Sequence, residues 1–581
     1  MENRVKTAPA LAAAALVFCA AALVHLPSLS GSLLWDDAAF LGPGSFASDC
    51  RNLPAALSPV NLVKVLPVPM SSRPVVNASL LLDACSGAGP YGLRLTNLLL
   101  HACDSALLFL LILTLSGGLL PALGGALLFA VHPAAAEAVN IAVFRSHLLG
   151  FFFFTCALLA AVFNARRPAA GKAAAAAACA LLGMLSVETA AVLPAAAAAA
   201  VYFDTGREGL RRSAPLLAAL LLAAGFYVWF RAPRSGYSIE GVSAPGISAP
   251  AAAYPAALFP RAAPRSRPAP AMPWSGVYTD REANLFTMGG VLSSYAAAMA
   301  FPAGLNSDYN PPVRGFSAEG LALLALPLAA AAAGLLLLLR RDLAGLGITL
   351  SVLTLAPVWN LVPIYNLRAD RYLYFPLAGG ALLAAALLGR ARKRPAAAAA
   401  AVLTLAWLAG LSWATLRRAP SFRDDEAFFS EAVRRGPGVP RARANLAAVL
   451  LRGGDCAGAL REAAEASRLA PASAGLKLRL AYAQAWCRRP ADAGATAREA
   501  LALAPRSADA LYLEGLLELH RGRRAAGTAL LRRALAEDPG HREAALTLLM
   551  TGTKKSPGLS PGDKADLAAL ADLYKAAGLS F

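Results

Sequence analysis

Apolar residues run along this chain in blocks of about twenty, separated by short clusters of arginine, proline or acid. The blocks lie near 8–29, 94–116, 119–133, 143–164, 172–187, 189–204, 213–230, 319–340, 343–363, 372–389 and 395–416. About twenty apolar residues in a helix cross the hydrocarbon core of a bilayer, so the pattern predicts eleven spans. Arg4 and Lys6 precede the first block, and His25, Leu26 and Pro27 close it without a small-x-small cleavage site. That block is expected to be a retained span and not a signal peptide. A weaker block, 284–301, is expected to be an interfacial or re-entrant helix inside a long loop, 231–318.

After Arg418 the pattern changes. Proline recurs at Pro437, Pro471, Pro505 and Pro539, each 34 residues from the last, which is the tetratricopeptide period. Leu446, Ala447, Ala459, Ala466 and Pro471 fill the expected offsets of the first repeat, and Leu480, Ala481, Ala493, Ala500 and Pro505 those of the second. The third keeps Gly515, Ala534 and Pro539 but has Glu514 where leucine is expected. Each unit should be a helix pair that buries its apolar face by stacking on the next, with a cap after about Gly552. The predicted architecture is therefore all-α: a polytopic membrane domain, 1–418, followed by an α-solenoid of tetratricopeptide repeats, 419–581.

Composition agrees with a bilayer as second solvent. Hydrophobic residues make up 57% of the chain and charged residues 15%, against roughly 25% charged in a soluble domain, and mean hydropathy is +0.52. The net charge of +19 could suggest nucleic acid. The basic residues instead end the apolar blocks: Arg166, Arg167 and Lys172; Arg207, Arg211 and Arg212; Arg340 and Arg341; Arg390, Arg392, Lys393 and Arg394. With the N-terminus inside, all of these fall on the inner face, as positive-inside topology requires, and no nucleic-acid partner is expected. An odd number of spans then puts the repeats outside. Alanine- and arginine-rich usage points to a bacterial inner membrane with periplasmic repeats; in a eukaryote the same topology would place them in the endoplasmic reticulum.

The candidate chemistry lies at the outer face. The loop 30–93 opens with Asp36 and Asp37, adjacent carboxylates just past a span. Such a pair can act as general base toward a hydroxyl or hold a divalent cation, Mg or Mn, through oxygen ligands. The bland alternative is a solvated pair at a helix end. Arg73 lies late in the same loop. Asn97, His101 and Asp104 share one helix face. His132 and Glu137 follow the third span, and Arg145 and His147 open the fourth. Ser186 and Glu188 lie between the fifth and sixth, and Asp370, Arg371, Tyr372 and Tyr374 precede the tenth. Ionisable groups so close to a bilayer are costly and are functional candidates by default. Singly, each has a structural reading: a snorkelling cation for Arg145 or Arg371, an interhelical pair for His101 and Asp104, a helix cap for Glu188.

The ordered strings LLWDDAAF, SSRPVVNASLLLD, GLRLTNLLLH, LFAVHPAAAEAVNIAVFRSHLLG, LSVETAAVLP, FPAGLNSDY and ADRYLYFPLAG resemble the transmembrane, tetratricopeptide-repeat-containing O-mannosyltransferases of the GT-C glycosyltransferase superfamily. The resemblance covers nearly the whole chain. It implies an inverting transfer of a hexose, mannose-like, from a polyprenyl-phosphate donor to a hydroxyl of an extracytoplasmic protein. It further implies Asp36 or Asp37 as the base, Arg73, Arg145 and Arg371 on the donor phosphate, and His101, His132, Glu137, Glu188, Asp370 and Tyr372 around the sugar and acceptor. The partners would be that lipid-linked donor, a protein bound by the repeats, and membrane lipids. The family has a lysine in its S-K-E-T string where Val187 stands here, so either another cation serves the phosphate or the donor is a different one. The rival expectation is a non-catalytic membrane scaffold for protein assembly. A transporter is disfavoured because the spans show no clear internal duplication.

Of eight cysteines, Cys19, Cys103, Cys156 and Cys179 fall in predicted spans. Cys50, Cys85, Cys456 and Cys487 fall outside, where an oxidising compartment permits disulfides. Cys50–Cys85 is the expected bridge, and Cys456–Cys487 is sterically conceivable.

Overall fold

The computed structural model describes residues 7–41, 49–57, 73–231, 277, 280–361, 364, 366–391, 393–552 and scattered positions between 568 and 579. Much of the expected loops 30–93 and 231–318, Arg392 and the expected cap after Gly552 lie outside the described residues. The described elements are all helical.

Six helical stretches are long and apolar enough to cross a membrane: Thr7–Ser30, Gly89–Ser116, Ala142–Arg166, Glu188–Trp229, Ala318–Leu339 and Arg394–Phe422. A bent pair, Leu119–Ala130 with Pro133–Asn140, makes a seventh if counted as one span. The eleven expected spans thus need correction. The blocks 189–204 and 213–230 are two helices joined without a loop at Gly206, whose φ of 69° and ψ of −158° break the helix at little cost to glycine. Ala170–Met184 and Pro376–Arg390 have 15 residues each, about 22 Å against a hydrocarbon core of roughly 30 Å. Leu343–Val358 is also short. They stop early because their connecting turns sink into the bundle: Ser186, Asp370 and Arg371 are all buried.

Hydrogen bonds sort the helix ends into two faces. At one, Arg166 pairs with Asp204 and donates to Thr114 O, Arg341 donates to the Phe203 and Asp204 carbonyls, and Arg390 pairs with Asp342. This is the face of the basic clusters. At the other face the connections are swallowed: every residue from Val131 to Gly150 is buried. Arg281–Ala300 runs along this second face. Asn284 near its start donates to Asn360 O, Tyr295 hydrogen-bonds the backbone of Ala369, and Met299 O meets His132 Nε2 at 3.3 Å near its end.

Beyond Arg418, helices begin at Pro440, Ala474, Ala508 and Arg542, with partner helices at Cys456, Pro490 and Arg524. Both series step by 34, the spacing of the prolines. Local chemistry repeats with them: Ser473, Ser507 and His541 each cap the helix that follows, accepting from the N–H groups of Leu476, Ala510 and Ala544. Small residues sit where paired helices touch, among them Ala459, Ala493 and Ala500, all fully buried. The helices pack as consecutive antiparallel pairs. Two disulfides are present, Cys50–Cys85 with Cα atoms 5.4 Å apart and Cys456–Cys487 with Cα atoms 5.7 Å apart.

The turns inside the pairs expose one local misfit. Gly454 and Gly522 take positive φ, and the equivalent position one repeat on is Arg488, at φ 59°. A left-handed backbone costs a non-glycine residue about 1–2 kcal/mol. Arg488→Gly should therefore stabilise the repeat array by about 1 kcal/mol, read as a raised midpoint in thermal unfolding of the purified chain.

Candidate functional site

The two adjacent carboxylates have different fates. Leu34 and Trp35 lead into the short helix Asp36–Leu41, and Trp35 adopts φ 46°, a genuine outlier for a bulky residue. Its ring lies among Phe144, Phe428 and Phe429, and its backbone N–H donates to Asp425 Oδ1 at 2.8 Å. Past this turn Asp37 enters the protein. It is 1% exposed; its Oδ1 accepts from Val143 N at 2.9 Å, and its Oδ2 from Ala142 N at 3.1 Å and Leu34 N at 3.2 Å. Burial pushes its pKa up to about 6, against the pull of those three N–H groups and of Arg94. Asp37 pins the loop to the 142–144 turn.

Asp36 remains half-buried and makes no hydrogen bond among the described residues. Burial raises its pKa, while the charges of Arg371 and Arg441 act to lower it. A solvated pair at a helix end is thus not what the structure shows: Asp37 is buried, and Asp36 alone keeps part of its surface exposed. Toward a cation the pair offers one open carboxylate, that of Asp36. Both oxygens of Asp37 are committed to backbone N–H groups, and no three His, Cys, Asp or Glu side chains converge among the described residues.

Around Asp36 the structure gathers part of the expected set. Arg371 donates from its backbone N to Glu137 Oε2 at 2.7 Å and from Nη1 to Glu137 Oε1 at 2.5 Å. Its guanidinium lies 4.3 Å from the Phe144 ring and 5.1 Å from that of Tyr372. Its Nε and Nη2 make no hydrogen bond among the described residues, so one edge of the fork is available. His147 packs near Tyr372, with ring centroids 6.4 Å apart, and sits within electrostatic reach of Arg371, Arg73 and Glu188. Arg73 bonds Glu188 at 2.7 Å and Ser146 Oγ at 3.3 Å. Asp36, Arg73, Glu137, His147, Glu188, Arg371 and Tyr372 thus form one neighbourhood carrying both signs of charge.

Four expected site residues are used elsewhere. Arg145 is fully buried and spends all five donors on Asn97, Ser79, Asp83 and Leu93 O. It has none left for a phosphate and acts as a structural clamp. His101 sits 2.8 Å from the Tyr374 hydroxyl and 3.0 Å from Ala130 O, and Tyr374 donates to Asp104 at 2.8 Å. That network lies inside the bundle, beside His25, with Asp104 Oδ1 and His25 Nε2 left without a hydrogen bond among the described residues. His132 accepts from Ala134 N and meets Met299 O, fastening Arg281–Ala300 to the bundle. Asp370 turns away from its neighbour Arg371 to take Arg418 at 2.9 Å and the Tyr309 hydroxyl. Val187 is 3% exposed and packs against Gly150, where an added Cβ would collide with it; the position is apolar and carries no cation.

Sequence reasoning missed Asp308 and Arg441. Arg441, from the first repeat helix, pairs with Asp308 and reaches toward Asp36. Asn306 Nδ2 donates to Ala432 O nearby at 3.1 Å. The FPAGLNSDY string held the signal, a run of polar residues between two apolar helices, but nothing local points to a partner 133 residues away.

The split between the carboxylates gives a direct test. Asp37→Asn would turn an NH2 group toward a backbone N–H and should cost about 1–3 kcal/mol, the penalty of an unmet buried donor. Asp36→Asn should leave stability within about 0.5 kcal/mol. Thermal unfolding of the two variants in one detergent compares them; equal losses would contradict the assignment.

No family model and no curated protein matches this chain. A solved structure described as "MamA RS-1 ArsTM double mutant" is similar over 29% of this chain and 90% of that one, at 20% identity and a TM-score of 0.21.

Proposed function

We propose that this chain is an integral-membrane glycosyltransferase of GT-C type, moving a mannose-like hexose from a polyprenyl phosphate to a hydroxyl of an extracytoplasmic protein. The observation that carries the reading is Asp36: a half-buried carboxylate without a hydrogen bond among the described residues, facing an arginine with one open edge. In the reaction Asp36 takes the acceptor's hydroxyl proton, and the freed oxygen attacks the anomeric carbon from the face opposite the phosphate. The anomeric C–O bond breaks, and the polyprenyl phosphate leaves with the electron pair. Arg371, with Arg73 beside it, stabilises that charge, since guanidinium suits phosphate bidentately. No covalent intermediate is required. Glu137 orients Arg371, and His147 with Tyr372 borders the sugar.

The 34-residue helix period supports reading 419–581 as a tetratricopeptide solenoid that presents the acceptor. The clustering of basic residues at one face supports an inner location for that face. Asp36, the disulfides and the repeats then lie outside, in the periplasm of a bacterium. A second reading, a membrane-anchored scaffold without activity, is favoured by one observation: Val187 occupies a buried apolar position where the resemblance asks for lysine.

Labelled polyprenyl-phosphate sugars, incubated with purified protein and periplasmic extract, should give label in protein. Asp36→Asn should lower the rate by roughly a hundredfold or more, the scale of a lost general base. Transfer by the variant at the wild-type rate removes Asp36 as base, and no transfer by the wild type with any donor favours the scaffold. Topology is checked separately: a cysteine at Lys393 should resist an impermeant thiol reagent in intact cells, and one at Gly522 should react.

A further inference from the structure

The molecule has a second cationic feature away from Asp36. Where the last apolar helix ends and the Asp425–Arg435 helix begins, a cleft of about 480 Å³ is lined by Trp413, Arg417, Arg418, Glu431, Arg434 and Arg435, with prolines closing one side. Four guanidiniums face one carboxylate. Arg418 is spoken for by Asp370 and Pro133 O. Arg434 and Arg435 share Glu431. Arg417 lies 4.8 Å from the Trp413 ring centroid and has no carboxylate partner among the described residues. The cleft therefore carries uncompensated positive charge.

Its position says what could compensate that charge. Trp413 is 61% exposed and Leu416 43% exposed on the apolar helix that forms the wall, so the wall faces lipid. The arginines form the rim, where the helix leaves the hydrocarbon. Positive-inside topology does not explain them, because the basic topology clusters occupy the opposite face of the bundle. An indole and guanidiniums at one interfacial level suit a ligand with an acyl chain below and a phosphodiester above. Asp36, Arg371 and His147 do not line the cleft, so it is distinct from the donor site proposed above.

We infer that this cleft binds an anionic glycerophospholipid of the surrounding bilayer, its phosphodiester held by Arg417, Arg434 and Arg435 and its acyl chain laid along Trp413. The lipid would wedge the last membrane helix against the first helix of the repeat region and so hold the repeats at a fixed angle to the membrane.

The test is native mass spectrometry of the full chain in detergent, titrated with phosphatidylglycerol and with phosphatidylcholine of the same acyl chains. Phosphatidylglycerol should bind at least tenfold tighter. An interfacial arginine contributes about fivefold in binding, so Arg417→Gln should weaken phosphatidylglycerol about fivefold and Arg417→Gln with Arg434→Gln about twenty-five-fold. The paired control, Arg461→Gln with Arg488→Gln, should change nothing. Arg417 makes no ion pair among the described residues, so its single variant reads the site without disturbing Glu431. Glycerol 3-phosphate at millimolar concentration should not displace the lipid; displacement would show that a soluble phosphate suffices and would overturn the lipid assignment. Equal binding of the two phospholipids, or wild-type affinity in the double variant, would overturn the site.

Discussion

An uncompensated guanidinium inside an apolar bundle costs several kcal/mol, and this fold buries Arg94, Arg145, Arg371 and Arg418 at one end. The architecture of that end follows from where they find partners. Arg94 reaches out of the Gly89–Ser116 helix to the carbonyls of Ser28, Ser32 and Phe422, tying the exit of the first span to the exit of the last. It passes so close to Gly31 that a Cβ there would collide with the guanidinium. Arg145 draws in the Pro74–Cys85 helix through Ser79 and Asp83. Arg418 holds Pro133 O and Asp370, and Arg371 holds Glu137. Loops that would otherwise lie on the surface are pulled in to supply oxygens, which is why several helices stop short of a full bilayer crossing.

The same demand separates structure from chemistry. A buried charge that meets its full complement of partners is fixed and inert. Arg145 and Asp37 belong to that group, the first with all five donors engaged and the second with three backbone N–H groups on its two oxygens. At the half-exposed border of that network, unused hydrogen-bonding capacity remains, among the described residues, on the Asp36 carboxylate and on one edge of Arg371.

This also sets how much could be read from the sequence. The apolar blocks, the 34-residue period and the sorting of arginines between faces are local or periodic, and the chain displays them openly. Composition cannot divide Asp36 from Asp37, because the division depends on the N–H groups of Ala142 and Val143, more than a hundred residues away. His101 and Asp104 share a helix face as their spacing implies, but Tyr374 meets them there and closes the group. Helical spacing identifies neighbours on one helix and is silent about the side chain that arrives from another. Arg441 was illegible for the same reason: it stands among ordinary repeat-surface arginines, and only its contact with Asp308 distinguishes it.

That contact bears on how the two parts of the chain work together. Arg441 and Asp308 are both largely shielded, with 12% and 3% of their side chains exposed, so removing either partner costs more than breaking a surface bridge. Trp35, immediately before Asp36, packs on Phe428 and Phe429 from the helix that precedes the first repeat, and its backbone N–H is held by Asp425. The backbone that aims Asp36 is thus built partly from the membrane bundle and partly from the region beyond Arg418. A repeat array joined by a flexible linker would leave that carboxylate unaffected by what the repeats hold. Here a shift of the first repeat helices would move Asp425, Arg441 and the aromatic seat of Trp35 together, and with them the group proposed to take the proton.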